Sequence, residues 1–263
     1  MGEDFCIFVR PEEAVARYVR KWAGKDPKAP EIRPFRTKEH AGIVFEPKIH
    51  LHDVDFVLVP GWTSLGDGMA KLGYILSRMG FRAHVLHLPG QGGPGKPEEV
   101  YDYVRKYVER LRCPVFLVGH SMGGEIVKWV SAKNIVGRAS LAPAGPRKGW
   151  LVADYLGALL SPLVLWYKAR RMGVDEALSF RAPLKYVQIV RRFGGYEKGA
   201  LFLGSRDILI PYTDEFYHYK RKKGFPPYLE VVRGGHGFFA DKRNIRTVAE
   251  RLAQLALGLT GKR

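Results

Sequence analysis

The most constraining feature of this sequence is an apolar run, Val115 to Val118, that leads directly into Gly-His-Ser-Met-Gly. A short run without polar residues is typical of a buried strand. Apolar residues at helical spacing follow the run, so Ser121 is predicted on a sharp turn between a strand and a helix, with its hydroxyl exposed. The glycines two residues before and after Ser121 suit such a turn, because larger side chains there would collide with neighbouring backbone.

Strands and helices alternate on both sides of this turn. The predicted strands are short apolar runs, at 54–59, 83–88, 115–118, 135–141, 199–203 and 228–232. The stretches between most of them have apolar residues at helical spacing. This alternation predicts the α/β class, with a mostly parallel central sheet and helices on both of its faces. Ligands of such sheets bind where the strands end, which is where Ser121 falls.

The N-terminal part of the chain is less regular. Pro11 to Trp22 is predicted to be a helix, with proline and acidic residues in its first turn. Residues 25–40 are rich in proline and charge and are predicted to be a connector, followed by a strand at Gly42 to Phe45. His50 to Asp55 contains residue types that bind metals, but no further ligands follow at a suitable spacing. A polar entrance to a strand is the favoured interpretation of that stretch.

The alternation stops between residues 144 and 198. This interruption predicts a helical cap inserted into the core, which divides the chain into segments 1–143, 144–198 and 199–263. Trp150 to Tyr167 is almost entirely apolar, but Asp154 and Pro162 argue against a membrane span and favour two shorter helices. Three roles stay open for these helices: covering an apolar pocket, contacting a lipid surface as a peripheral membrane segment, or ordinary core packing.

The charge balance is strongly basic, with 43 Lys and Arg against 26 Asp and Glu and a net charge of +17. Such a charge fits anionic partners such as nucleic acid or a membrane surface. Because the basic residues are spread along the chain, a well-solvated surface is the favoured interpretation. Cys6 and Cys113 are far apart and form no zinc or redox motif. Charged residues interrupt any N-terminal signal sequence, so a cytoplasmic location is expected.

Three motifs at predicted strand ends together resemble the α/β-hydrolase superfamily. They are Gly-His-Ser-Met-Gly-Gly around Ser121, Asp207 just after one strand, and Gly-Gly-His-Gly-Phe-Phe around His236 after the next. The order Ser, Asp, His along the chain is the order that this fold uses. The resemblance spans roughly residues 54 to 258 and implies an α/β-hydrolase fold with esterase-like or lipase-like activity and a lid insertion.

The resemblance also implies a role for each residue of the site. Ser121 would be the nucleophile, His236 the general base, and Asp207 the acid that holds the imidazole in the right tautomer. The backbone N–H groups of Met122 and Trp62 would form the oxyanion hole. The loop that contains Trp62 lacks the histidine that many family members carry at this point. Asp214 is the alternative acid, although it lies in a stretch with a helical pattern.

The expected activity is the hydrolysis of carboxylic esters with apolar, short-to-medium acyl chains. The expected partner is a small ester, lipid-like or anionic, and no nucleic acid is expected. Neither a metal nor an organic cofactor is needed for this chemistry. The residues predicted to line the acyl pocket are Trp150, Leu156, Leu159 and Phe238. Two alternatives stay open: an acyltransferase that uses the same three residues, and a basic protein that binds nucleic acid or membranes without catalysis.

Overall fold

The computed structural model describes residues 10–62, 64–144, 163–164, 166–172, 174, 186, 199–209 and 227–260. The strands among these residues are β1 (Glu31–Arg36), β2 (Ala41–Glu46), β3 (Asp55–Val59), β4 (Ala83–His87), β5 (Val115–His120), β6 (Ile135–Leu141), β7 (Ala200–Gly204) and β8 (Tyr228–Val232). The α-helices with complete bounds are α1 (Pro11–Ala23), α2 (Asp67–Arg78), α3 (Val100–Arg110), α4 (Met122–Trp129) and α5 (Ile245–Thr260). Short 3-10 turns lie at Pro97–Glu99 and Phe238–Ala240.

The eight strands form one sheet in the order β1-β2-β4-β3-β5-β6-β7-β8. The six strands from β4 to β8 in this order are mutually parallel, whereas β1 and β2 are antiparallel to their neighbours. Alternate side chains of the central strands face opposite sides of the sheet. On one side they pack with α1, α2 and α5, and on the other with α3 and α4. The predicted α/β class and sheet are therefore confirmed.

One prediction about the N-terminal part is wrong. Residues 25–40 were expected to be a connector, but they contain β1. Among the described strands, β1 lies at one edge of the sheet and pairs with β2 alone. An edge strand leaves one row of N–H groups unpaired, so Pro34 can lie in it. The proline that suggested a connector is thus compatible with a strand at this position.

A partly buried ion pair links the N-terminal helix to the edge of the sheet. Arg36 of β1 donates two hydrogen bonds, at 2.7 and 2.9 Å, to the carboxylate of Glu12 in the first turn of α1. Such a two-point pair fixes orientation as well as distance. Arg36 also donates to the carbonyl oxygen of Gly92, at 2.8 Å, so the pair connects α1 with the loop that follows β4.

Part of the predicted cap lies within the described residues. Residues 163–164 and 166–171 are helical, and Ala169 of this helix is buried. Tyr186 is fully buried, and its hydroxyl donates to the carbonyl oxygen of Pro89 at 2.8 Å. The bounds of the cap, 144–198, stay a prediction. No helix within the described ranges is long and apolar enough to cross a membrane.

Candidate active site

Ser121 occupies a strained turn between β5 and α4. Its backbone has φ 52° and ψ −118°, a conformation that a residue with a side chain adopts only when its surroundings impose it. Two hydrogen bonds hold the turn: the Ser121 N–H donates to Leu141 O at 2.9 Å, and the Ala144 N–H donates to Ser121 O at 3.0 Å. The residue is 9% exposed, so it is less open to solvent than the sequence pattern suggests.

The glycines around Ser121 are required by close backbone contacts. A Cβ on Gly119 would lie 2.1 Å from the carbonyl oxygen of Gly123. A Cβ on Gly123 would lie 2.2 Å from the carbonyl oxygen of Val59, at the end of β3. Real Cβ contacts are much longer than these distances. The expected steric reason for both glycines is confirmed, and the second contact brings the loop after β3 against the serine turn.

Asp207 and His236 lie in the loops after β7 and β8 and are paired. The His236 Nδ1 is 2.8 Å from Asp207 Oδ2, and the other carboxylate oxygen of Asp207 accepts the N–H of Leu209 at 2.9 Å. A carboxylate only accepts hydrogen bonds, so Nδ1 carries the proton and Nε2 of the neutral ring is left as a base. Asp207 is 5% exposed, which strengthens this contact.

His120 connects the serine turn to the His236 loop. Its Nε2 donates to the backbone carbonyl of His236 at 3.0 Å, and its ring lies 4.7 Å from the His236 ring and 4.6 Å from the Phe239 ring. Burial lowers the pKa of His120 well below its ordinary value, and the charges of His236 and Lys168 lower it further. His120 is therefore favoured in its neutral form, and it links the residue before Ser121 to the backbone of His236.

The two predicted oxyanion donors belong to residues at the serine turn and in the loop after β3 that approaches it. Met122 is the first residue of α4, and the first N–H groups of a helix have no partner within the helix. Trp62 follows Gly61, where an added Cβ would lie 2.9 Å from both Ser121 Cβ and His120 Nδ1. Among the residues that the structure describes, neither the Met122 N–H nor the Trp62 N–H donates to a backbone carbonyl. Their role as an oxyanion hole stays a prediction.

The remaining predicted residues are placed only in part. Phe238 is 1% exposed and packs edge-on against Phe239, with ring centroids 6.0 Å apart. Its contact with substrate stays a prediction. The other predicted pocket residues and the alternative acid lie outside the described residues: Trp150, Leu156, Leu159 and Asp214.

The polar residues at the start of β3 form an internal contact away from the candidate site. His84 Nε2 donates to Asp55 Oδ2 at 3.1 Å, and His84 Nδ1 lies 2.9 Å from the hydroxyl of Tyr107. Nowhere in the described part of the chain do three His, Cys, Asp or Glu side chains form a group that could hold a metal ion. Asp55 thus takes part in packing between β3, β4 and α3.

Sequence reasoning missed two contacts of the site. It assigned no role to the close approach of Gly61 to Ser121, and it did not foresee that His120 binds the His236 backbone. His120 and His236 are 116 residues apart in sequence, so no local pattern relates them. The Pro-Gly-Trp stretch is the one signal that could have suggested a close approach, because glycine is the residue that permits it.

The chain belongs to the alpha/beta hydrolase family, because the sequence pattern described as "Alpha/beta hydrolase family" matches residues 56–256. In chain order, this range includes most of β3 and all of β4, β5, β6, β7 and β8. The matched range begins after β2, so α1, β1 and β2 lie outside it. No curated protein has a sequence that matches this chain.

Solved structures of lipases share the fold. A monoglyceride lipase from Saccharomyces cerevisiae, a soluble variant in complex with a substrate analog, has 16% identity and a TM-score of 0.62 over 89% of this chain and 97% of that one. A monoacylglycerol lipase from Paleococcus ferrophilus has 19% identity and a TM-score of 0.57 over 87% and 99%. A bacterial membrane phospholipase A has 16% identity and a TM-score of 0.64 over 95% and 92%. At these identities the likeness concerns the fold.

Proposed function

We propose that this chain is a serine hydrolase that cleaves carboxylic esters with apolar, short-to-medium acyl chains. The observation that carries this proposal is the contact between Asp207 and His236 at the sheet edge where Ser121 occupies its strained turn. A buried carboxylate bonded to a histidine, beside a serine on such a turn, is the arrangement that activates a hydroxyl as a nucleophile. Neither binding nor structural packing needs these three residue types together.

In the first half of the reaction, Ser121 Oγ attacks the acyl carbon while His236 Nε2 takes the hydroxyl proton. The carbonyl oxygen becomes an oxyanion, which the N–H groups of Met122 and Trp62 stabilise. Asp207 stays ionised and stabilises the imidazolium that forms. The tetrahedral intermediate then collapses, the alcohol leaves with the proton from His236, and the acyl group stays on Ser121 as an ester.

In the second half, water attacks the acyl-serine and His236 takes its proton. A second oxyanion forms in the same position and collapses to a carboxylic acid, and the Ser121 hydroxyl regains its proton from His236. No redox step or cofactor enters this sequence of bonds. The neutral tautomer that Asp207 enforces is the one needed at the start of each half.

The preference for apolar acyl chains rests on the cap sequence and on the fold relatives. Trp150 to Tyr167 is the longest apolar stretch of the chain, and two structures of the same fold are named as a monoglyceride lipase and a monoacylglycerol lipase. Each methylene that enters an apolar pocket adds about 0.8 kcal/mol of binding. We therefore expect kcat/KM to rise from acetyl toward medium-chain esters and then level off. Leu156→Trp or Leu159→Trp should lower the chain length at which it levels off.

An acyltransferase with the same site is the second candidate, because an acyl-serine can be attacked by an alcohol instead of water. Product analysis with a competing alcohol distinguishes the two activities. A non-catalytic basic protein is the third candidate, and it is supported by the net charge of +17. Duplex or single-stranded nucleic acid should leave ester hydrolysis unchanged if the hydrolase proposal is right.

The decisive experiment is covalent labelling with a fluorophosphonate probe, combined with turnover of p-nitrophenyl esters. We expect the probe to label Ser121, and Ser121→Ala to abolish both labelling and turnover. Ser205→Ala is the matched control, because Ser205 lies in the turn after β7 without a role in the mechanism. Labelling that persists in Ser121→Ala, with its fold intact by circular dichroism, would remove Ser121 as the nucleophile.

A further inference from the structure

One short helix exposes large apolar side chains on its outer face. Residues 163–164 and 166–171 are helical, and four of their side chains have exposed fractions of 61% (Leu163), 46% (Val164), 53% (Trp166) and 57% (Tyr167). Large apolar side chains exposed together on one helix need an explanation, whereas scattered ones do not. We define the outer helix face as Leu163, Val164, Trp166, Tyr167, Arg170 and Arg171.

The outer helix face belongs to a helix that is packed on its other side. Ala169 and Val174 are 3% and 5% exposed and belong to the part of the core that α1, α2 and α5 form with the sheet. Met172 packs against the same part of the core. Positions 163, 166, 167, 170 and 171 follow the helical spacing of one face, and position 169 points the opposite way. The helix therefore buries one side against the core, as an amphipathic helix does. Its other side is exposed but also carries large apolar side chains, which are normally found facing a core.

Basic groups stand beside the exposed aromatic rings. The Arg170 guanidinium lies 5.3 Å from the centre of the Trp166 ring, and the Arg171 guanidinium lies 5.7 Å from the centre of the Tyr167 ring. These distances are those of cation–π contacts. Residues 163–172 contain no acidic side chain. The outer helix face thus combines apolar and aromatic groups with two positive charges and no acidic residue within 163–172.

This helix lies near the candidate active site. Lys168, on its less exposed side, is close enough for its charge to act on His120, which contacts the backbone of His236. Two further apolar residues, Ile208 and Leu209, are 82% and 60% exposed directly after Asp207. The outer helix face thus belongs to a helix whose charge reaches His120, the residue before Ser121.

We propose that the outer helix face docks this protein on the surface of an anionic lipid bilayer. Tryptophan and tyrosine favour the boundary between headgroups and acyl chains, and arginine side chains reach the anionic headgroups from there. Charge complementarity selects this occupant over a second copy of the chain, because two chains of net charge +17 repel each other. Nucleic acid would match the charge but not the exposed leucine and valine. This proposal does not depend on the proposed ester hydrolysis.

The test is sedimentation of the protein with vesicles of ether-linked lipids, which contain no ester to hydrolyse. Neutral vesicles of phosphatidylcholine are compared with vesicles that also contain phosphatidylglycerol. We expect binding to the anionic vesicles to exceed binding to the neutral ones and to weaken as salt is raised, because the charges are screened. Equal binding to both vesicles at low and high salt would overturn the electrostatic part of the proposal.

Two double variants and one control locate the surface. Arg170→Gln with Arg171→Gln should weaken binding to anionic vesicles about 30-fold, at the usual strength of two such charges. Trp166→Ala with Tyr167→Ala should weaken binding to both vesicles by about tenfold or more. The control is Ile49→Ala with Leu51→Ala, which removes side chains that are 70% and 64% exposed in the loop before β3, at the opposite end of the sheet. The control should bind as the unmodified protein does.

Each alternative outcome excludes the proposal in a recognisable way. If the control weakens binding as much as Trp166→Ala with Tyr167→Ala, the surface is wrong. If that aromatic variant binds vesicles normally but loses a concentration-dependent dimer in analytical ultracentrifugation, a second copy covers the face instead. If a short duplex or single-stranded DNA displaces the protein from vesicles and its own binding needs Trp166 and Tyr167, nucleic acid is the partner. We expect all of these variants to hydrolyse a soluble ester at the unmodified rate. A change in vesicle binding can then be distinguished from a change in catalysis.

Discussion

Replacing Gly61 with alanine tests whether the loop after β3 must lie directly against the nucleophile. The added Cβ would lie 2.9 Å from Ser121 Cβ and 2.9 Å from His120 Nδ1. Non-bonded carbon atoms settle at about 3.5–4.0 Å, so either the loop or the serine turn must move by about 1 Å. The turn is held by its hydrogen bonds to Leu141 and Ala144, so we expect the loop to move and to carry the Trp62 N–H with it.

The expected loss follows from the size of this displacement. A misplacement of about 1 Å in a catalytic arrangement costs about 100-fold in rate, which corresponds to about 3 kcal/mol of transition-state stabilisation. Losing one oxyanion donor costs a similar amount in known cases, about 3–4 kcal/mol. Because both N–H donors act mainly on the transition state, Gly61→Ala should lower kcat far more than it raises KM.

The assay is steady-state turnover of a soluble p-nitrophenyl ester, with thermal unfolding measured in parallel. Gly237→Ala is the matched control, because a Cβ at Gly237, the residue after His236, would meet no atom within 4 Å. The control should keep its activity within about threefold, as expected of a change that introduces no clash. If Gly61→Ala is as active as the control while both fold normally, the assignment of Trp62 to the oxyanion hole is refuted.

Two further predictions concern Asp207 and His87. Asp207→Asn should lower ester turnover about 10⁴-fold, because an amide no longer imposes the tautomer that leaves Nε2 of His236 as a base. The control Asp102→Asn, on the surface, should have no such effect. Complete burial lowers the pKa of His87 from its ordinary 6.5 to about 4. The unfolded chain therefore takes up a proton on His87 before the folded chain does, and the protein should lose about 3 kcal/mol of stability between about pH 6.5 and pH 4. His87→Leu should flatten this part of the pH dependence in urea unfolding, whereas His50→Leu, at an exposed position, should leave it unchanged; equal slopes for all three proteins would contradict the reasoning.

Much of the fold could be predicted from the sequence, because its signals are local. A continuous apolar run indicates a strand that is buried on both faces, and apolar residues at helical spacing indicate a helix that is buried on one face. Both patterns can be recognised without knowing the rest of the chain. For this reason the parallel strands appeared within a residue or two of their expected positions, and α2 and α3 lie in stretches between strands that were expected to be helical. The glycines at 119 and 123 were also interpretable, since a tight turn excludes side chains at these positions. β1 was missed because a proline in an edge strand has the same local appearance as a proline in a loop.

The sequence by itself determined which residue types were present and in which order, and this pointed to Ser121, Asp207 and His236 as site candidates, with Asp214 as the alternative acid. Only the tertiary structure showed that Asp207 and His236 are in contact. The carboxyl ends of parallel strands lie at one edge of the sheet, so loops that are far apart along the chain bring Asp207 to 2.8 Å from His236. The hydrogen bond from His120 to the His236 backbone and the outward direction of Trp166 and Tyr167 likewise depend on packing between distant segments. Such contacts have no local signature, because each partner alone is compatible with many surroundings.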